Sequence, residues 1–193
     1  MIFRKCLLTL FLLLLSTSIF TQTKFPKDEV SPTEVEFIRI TFYEAVESSG
    51  KNDELLDYIN VLLDKSPSKK PVFLLAYQGA SETLIAKHSY NPYTKWNYLN
   101  KGLEKIGGAI EKYKESLELR FLRFSILHYL PGFLGFAKER NEDLNYVFNL
   151  LLQKDYSEID NSVQEGIITF LIESERLNAH QVRKLQSLLL AEE

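Results

Sequence analysis

From Ser31 onward, apolar residues return every three or four positions in one segment after another, and few stretches alternate in twos. That period lets an α-helix bury one face, whereas a half-buried strand needs a period of two. Turn residues also miss the spacing a β-hairpin requires. The pattern therefore predicts an all-α chain of about eight helices.

The helix boundaries follow from local chemistry. In Ser31-Pro32-Thr33-Glu34 a serine caps, a proline fits the first helical position and a glutamate closes a capping box. Val35, Ile38, Phe42, Ala45 and Val46 follow in register, and Gly50 reads as the stop. A second helix starts at Asp53 with Leu55, Leu56, Ile59, Leu62 and Leu63 inward, and SPSKKP (66–71) is a turn. The third, Val72 to Lys87, puts Val72, Leu75, Ala76, Gly79, Ala80, Thr83 and Leu84 on one face. Asn91-Pro92 breaks it and starts a fourth over roughly 93–114, with Trp96, Leu99, Leu103, Ile106, Ile110 and Tyr113 in register. Gly102, Gly107 and Gly108 inside that helix each cost about 1 kcal/mol relative to alanine, so a neighbouring helix is expected to approach closely there.

The fifth segment, about 117–129, is apolar almost all round and belongs in a core. PGFLGF closes it. A sixth runs over 138–153 with Leu144, Val147, Phe148, Leu151 and Leu152 inward, and a seventh uses Ile159, Val163, Ile167, Phe170 and Leu171. Asn178-Ala179-His180-Gln181 resembles a second capping box and opens the eighth.

Before these helices stands MIFRKCLLTLFLLLLSTSIFTQT. Arg4 and Lys5 form a basic n-region, Leu7 to Leu15 an apolar core, and Ser16, Thr17 and Ser18 supply small residues, which is the secretory-signal pattern. The apolar run falls short of the ~20 residues a spanning helix takes, although Ile19 and Phe20 would extend it, so an uncleaved membrane anchor is the alternative. Residues 1–21 read as the signal, 22–30 as a polar linker and 31–193 as a single helical domain. The expected location is periplasmic or secreted.

Cleavage would remove Cys6, the only cysteine, and leave no disulfide, thiolate nucleophile or zinc–cysteine site. About 170 residues suffice for a core without disulfides. The formal charge of −3 would become about −5 as Arg4 and Lys5 leave, and without a basic stripe nucleic acid is not an expected partner.

The helices pair at 32–65, 72–114, 117–153 and 158–190, hairpins of 35–45 residues, the period of helical solenoid repeats. Residues 96–123, WNYLNKGLEKIGGAIEKYKESLELRFLR, resemble the second helix of a tetratricopeptide repeat running into the next. Gly102, Ile106, Ala109 and Ile110 stand where that family places its small residue, large apolar residue and alanine-plus-aliphatic pair, and Phe121 and Leu122 begin the following repeat. Lys114 departs from the family's proline, and the 88–92 loop is longer than its tight turn. The resemblance implies antiparallel hairpins stacked as a short α-solenoid, a fold that mostly serves interaction. AKHSYNPYTKWNYLNKG and LELRFLRFSILHYLPGFLGF are similar, more loosely, to an uncharacterised group of exported proteins from Bacteroidota, which implies a bacterial source and no activity.

Two loops stand out. KHSYNPYTKW (87–96) and HYLPGFLGF (128–136) concentrate rings, histidines and prolines, and hairpin stacking would bring both to one edge. His88, Tyr90, Asn91, Trp96, His128 and Phe133 are the candidate contacts for a protein or peptide partner; rings packed under long loops to pin them are the bland alternative. Arg120 and Arg123 share a face of the apolar fifth helix. Either they pair with Glu111, Glu142 or Asp143, or they lie unpaired in a groove and hold a small anionic or amphipathic ligand with the two loops. Catalysis finds no support: His88, His128 and His180 are scattered, and neither HExxH nor GxSxG occurs. No catalytic residue, cofactor or metal is expected.

Overall fold

A computed structural model of the protein describes residues 30–66 and 70–190. The signal segment, nearly all of the linker and part of the 66–71 turn lie outside the described residues. Within them the regular structure is helical: α1 (Pro32–Glu47), α2 (Ser49–Lys65), α3 (Val72–His88), α4 (Pro92–Lys112), α5 (Leu117–His128), a 3-10 turn (Gly132–Leu134), α6 (Ala137–Leu151), α7 (Asn161–Glu173) and α8 (Ala179–Leu189). No described helix is long and apolar enough to cross a membrane.

Both capping boxes form. The Ser31 backbone N–H donates to Glu34 Oε2 at 2.9 Å while Ser31 Oγ accepts from the Glu34 N–H, and Asn178 and Gln181 make the same exchange. Val30, assigned to the linker by its polar neighbours, is buried beside Val35 in the same core. A hydrophobic residue just before the cap and one at the fourth helical position staple the entry of a helix in this way. Gly50 is no stop: Ser48 ends α1 and caps α2 by accepting from the Lys51 N–H, so α2 begins four residues earlier than Asp53 and Gly50 lies inside it. One serine serving two helices leaves no room for a loop. The fifth helix ends at His128, so Tyr129, expected inward, points to solvent.

Consecutive helices pack as neighbours, and α1 also touches α3 as α3 touches α5. One core runs from α1 to α5 around Ile38, Leu55, Phe73 and Leu119. A second joins α5 to α8 around Phe124, Leu151 and Leu171. Buried on nearly every side, α3 carries Phe73, Leu74, Ala76, Tyr77, Ala80 and Leu84 in the apolar core, along with the polar Ser81, Glu82 and Thr83. It needs close neighbours, and Gly79 supplies one contact. A Cβ there would come within 2.6 Å of the Gly102 carbonyl oxygen. The close approach expected at Gly102 is thus real, but Gly108 faces open space and Gly107 only the far end of Arg123.

Charges are drawn into this interior with partners. Arg39 clamps Glu118 through Nε (2.7 Å) and Nη2 (2.6 Å), and Tyr77 Oη donates to the same carboxylate. Burial alone would lower the Arg39 pKa; the two bonds to Glu118 and its charge raise it above its ordinary value. Burial is also the main reason that Tyr77 stays protonated well above the usual phenol range.

Candidate functional site

The C-terminal ends of α3 and α5 reach the same edge, so the 88–92 and 129–136 connections lie side by side. Trp96 and Phe136 rest against each other, their centroids 6.4 Å apart. Beneath them Ala86, Leu99, Leu103 and Leu127 form a small buried layer, with Tyr98, Leu130, Leu134 and Phe136 packed around it. Both loops are therefore pinned from below by aliphatic residues and Phe136.

The remaining rings are left in water. Tyr90 is 100% exposed, Phe133 86% and Tyr93 81%; Tyr129 is also open, and Trp96 at 48% is half covered. Loop packing explains Phe136 and part of Trp96 but leaves Tyr90, Tyr93, Tyr129 and Phe133 unexplained. The turns themselves are ordered: Asn91 Oδ1 accepts from the N–H groups of Tyr93 and Thr94, capping α4, and Gly135 takes the left-handed conformation (φ 88°) that closes the 3-10 turn.

Other predicted contact residues have structural partners. Asn91 is a cap. His88 Nε2 lies 3.0 Å from the Ala45 carbonyl and ties α3 to α1. At the far side of the edge, Arg176 Nε donates to His128 Nδ1 at 2.9 Å. The two histidines thus face different neighbours, and among the described residues no group of three His, Cys, Asp or Glu is placed to hold a metal ion.

Arg120 and Arg123 face α6. Asp143, fully buried, accepts from Arg123 Nε (2.6 Å) and Nη2 (2.8 Å) and from Arg120 Nη1 (2.8 Å). Arg120 also donates to Glu142 and to the Lys114 carbonyl, and its guanidinium lies 3.8 Å from the centroid of the Tyr146 ring. Burial works against the charged form of Arg123, yet the bonds to Asp143 raise its pKa. The groove reading required unpaired arginines; these two are committed to a structural carboxylate.

No family, curated protein or solved structure matches this chain. Of the residues in the two predicted loops, the edge leaves Tyr90, Tyr93, Trp96 and Phe133 available, and it adds Tyr129, expected inward. Tyr129 was hidden by a helix boundary placed one residue late. Two arginines, Arg140 and Arg176, carry no periodic signal, because they come from separate helical segments and feel each other's charge only through the fold.

Proposed function

We propose that the chain is an exported helical-repeat interaction module that binds a protein or peptide partner through the aromatic edge of its 88–96 and 128–136 loops. The observation that carries the reading is the exposure of Tyr90, Tyr93, Tyr129 and Phe133 on turns already held in place by other residues. Ordered, solvent-facing aromatic rings lose little conformational freedom on binding and supply much of the energy at protein interfaces. The contacts of α1 with α3 and of α3 with α5 support a repeated hairpin arrangement. The basic and apolar character of residues 4–15 supports export. Since Arg120 and Arg123 already hold Asp143, the small-ligand reading built on them has no observation in its favour.

A photo-crosslinking amino acid placed at Tyr90 or Phe133, and separately at the exposed Val61 on α2, tests the binding surface. The reading expects one discrete partner captured at the edge positions and not at Val61, reconstituted from purified components and lost on Phe133→Ser. Equal capture at all three positions, or none, rejects it. N-terminal sequencing of the chain recovered from a Gram-negative host tests export: a new terminus near residue 22 supports it, and an intact Met1 on cytoplasmic chain rejects it.

A further inference from the structure

Interior arginines elsewhere in the described fold are matched with carboxylates: Arg39 with Glu118, and Arg120 and Arg123 with Asp143. One cluster nearer the surface, with Arg140 half-buried and Arg176 exposed, has no such match. Arg176, in the turn between α7 and α8, bonds to His128 at the end of α5, and Arg140, in the first turns of α6, is close enough for its charge to act on both. Among the described residues neither arginine has a carboxylate within ion-pair distance. Arg140 Nε is shut off from solvent and has no hydrogen-bond partner. Glu139 precedes it, but adjacent helical positions do not face each other, and its charge is felt at Arg123.

The geometry leaves donors unspent. Arg176 uses Nε on His128 Nδ1 (2.9 Å) and Nη2 on the His128 carbonyl (3.1 Å), which leaves Nη1 uncommitted. Because His128 accepts at Nδ1, its ring proton sits on Nε2. Phe170 packs 5.5 Å from the imidazole and 6.3 Å from Tyr129, and Phe124 closes another side, so an apolar wall borders the cluster. Burial, then the charges of Arg176 and Arg140, hold the His128 pKa below its ordinary value. Burial and Arg140 likewise lower that of Arg176. Two guanidinium groups and an imidazole lie within one another's electrostatic reach, neither arginine has a carboxylate at ion-pair distance and one donor is dry and unsatisfied, which makes half of an ion pair.

We propose that Arg140, Arg176 and His128 form a binding site for an oxyanion, a carboxylate or phosphate group, taken by the free guanidinium donors. The site goes beyond the aromatic-edge reading and stands without it: it needs no protein partner and uses none of Tyr90, Trp96 or Phe133.

The test follows the His128 ring proton by NMR in the full chain, with His128→Gln to assign the signal and His88 and His180 as internal references. The titration midpoint is measured in chloride, inorganic phosphate, succinate and a tetraglutamate peptide at constant ionic strength. A bound anion should raise the midpoint by about one pH unit, saturably, as an opposite charge nearby favours the protonated ring. Arg140→Gln, and separately Arg176→Gln, should erase that dependence while the far-ultraviolet spectrum stays helical. A shift with phosphate alone assigns the site to phosphate groups, with succinate to carboxylates, and with the peptide alone to acidic chain segments. No shift with any anion beyond the chloride control overturns the proposal, as does an equal shift in both arginine variants.

Discussion

Gly79 and Gly102 meet backbone to backbone where α3 crosses α4. A Cβ on Gly79 would come 2.6 Å from the Gly102 carbonyl oxygen and 2.9 Å from Lys105 Cβ; one on Gly102 would strike the Gly79 carbonyl and Thr83. Backbone cannot step aside as a side chain can, so Gly102→Ala should separate the helices and cost about 1–3 kcal/mol, the range of overpacking in a tight core. Gly108 looks onto open space in the same helix, and Gly108→Ala should add about 0.5–1 kcal/mol through helix propensity. Urea melts of the two variants check both signs at once.

Asp143 holds two guanidinium groups at the interface of α5 and α6. Asp143→Asn keeps the shape but leaves Arg123 without its carboxylate and the buried Arg120 with only the exposed Glu142, and breaking a buried pair costs about 3–5 kcal/mol. Thermal unfolding of this variant should fall far below that of Glu142→Gln, because Glu142 is exposed and serves only Arg120. Equal losses would mean that the buried carboxylate is not what anchors the pair.

Periodicity makes this fold largely legible, since a helix that buries one stripe announces it in every turn. The eight described helices and both capping boxes follow from apolar spacing and cap chemistry. What periodicity hides is charge inside the core. Glu82, Glu118, Arg120 and Asp143 are all nearly inaccessible to water, yet a carboxylate in a helical pattern reads as a solvated face. Glu118 is interior because Arg39, 79 residues away, comes to meet it, and no local rule contains that information. Ser48 misleads for the opposite reason: a strong local signal, the glycine two residues on, is overruled when one serine caps both sides of a turn. Arg140 and Arg176 are invisible in the same way as Glu118.

Folding and binding should separate at the aromatic edge. Phe133 is almost fully exposed, so Phe133→Ser should change stability by less than about 0.5 kcal/mol. Trp96 has half its surface covered, partly by Phe136, so Trp96→Ala should cost about 1–2 kcal/mol, short of the ~3–5 kcal/mol of a fully buried ring. Both should reduce crosslinking to a partner. A Trp96→Ala loss as large as that of a core ring, with partner capture intact, would return this residue to loop packing.

His128 should write its own segment into the pH dependence of stability. Its pKa in the fold lies below the ordinary 6.5, mainly through burial and then through Arg176 and Arg140. Between the folded and unfolded values the unfolded chain binds more protons, so stability rises with pH. The contribution is therefore complete above about pH 7 and is lost as pH falls through 6.5 toward the folded value. Protonation also removes the Nδ1 acceptor that Arg176 uses, which couples the titration to the contact between α5 and the α7–α8 turn. The carboxylates of Asp160 and Glu34, whose pKa values are lowered chiefly by hydrogen bonds to Ser162 and to the Ser31 backbone, act in a separate window below about pH 5. Melting temperatures measured from pH 8 to 4 in phosphate-free buffer should show the two steps, and His128→Gln should flatten the upper one while sparing the lower. An unchanged upper step in that variant would mean that another group carries it and that the contact between Arg176 and His128 does not sense protons.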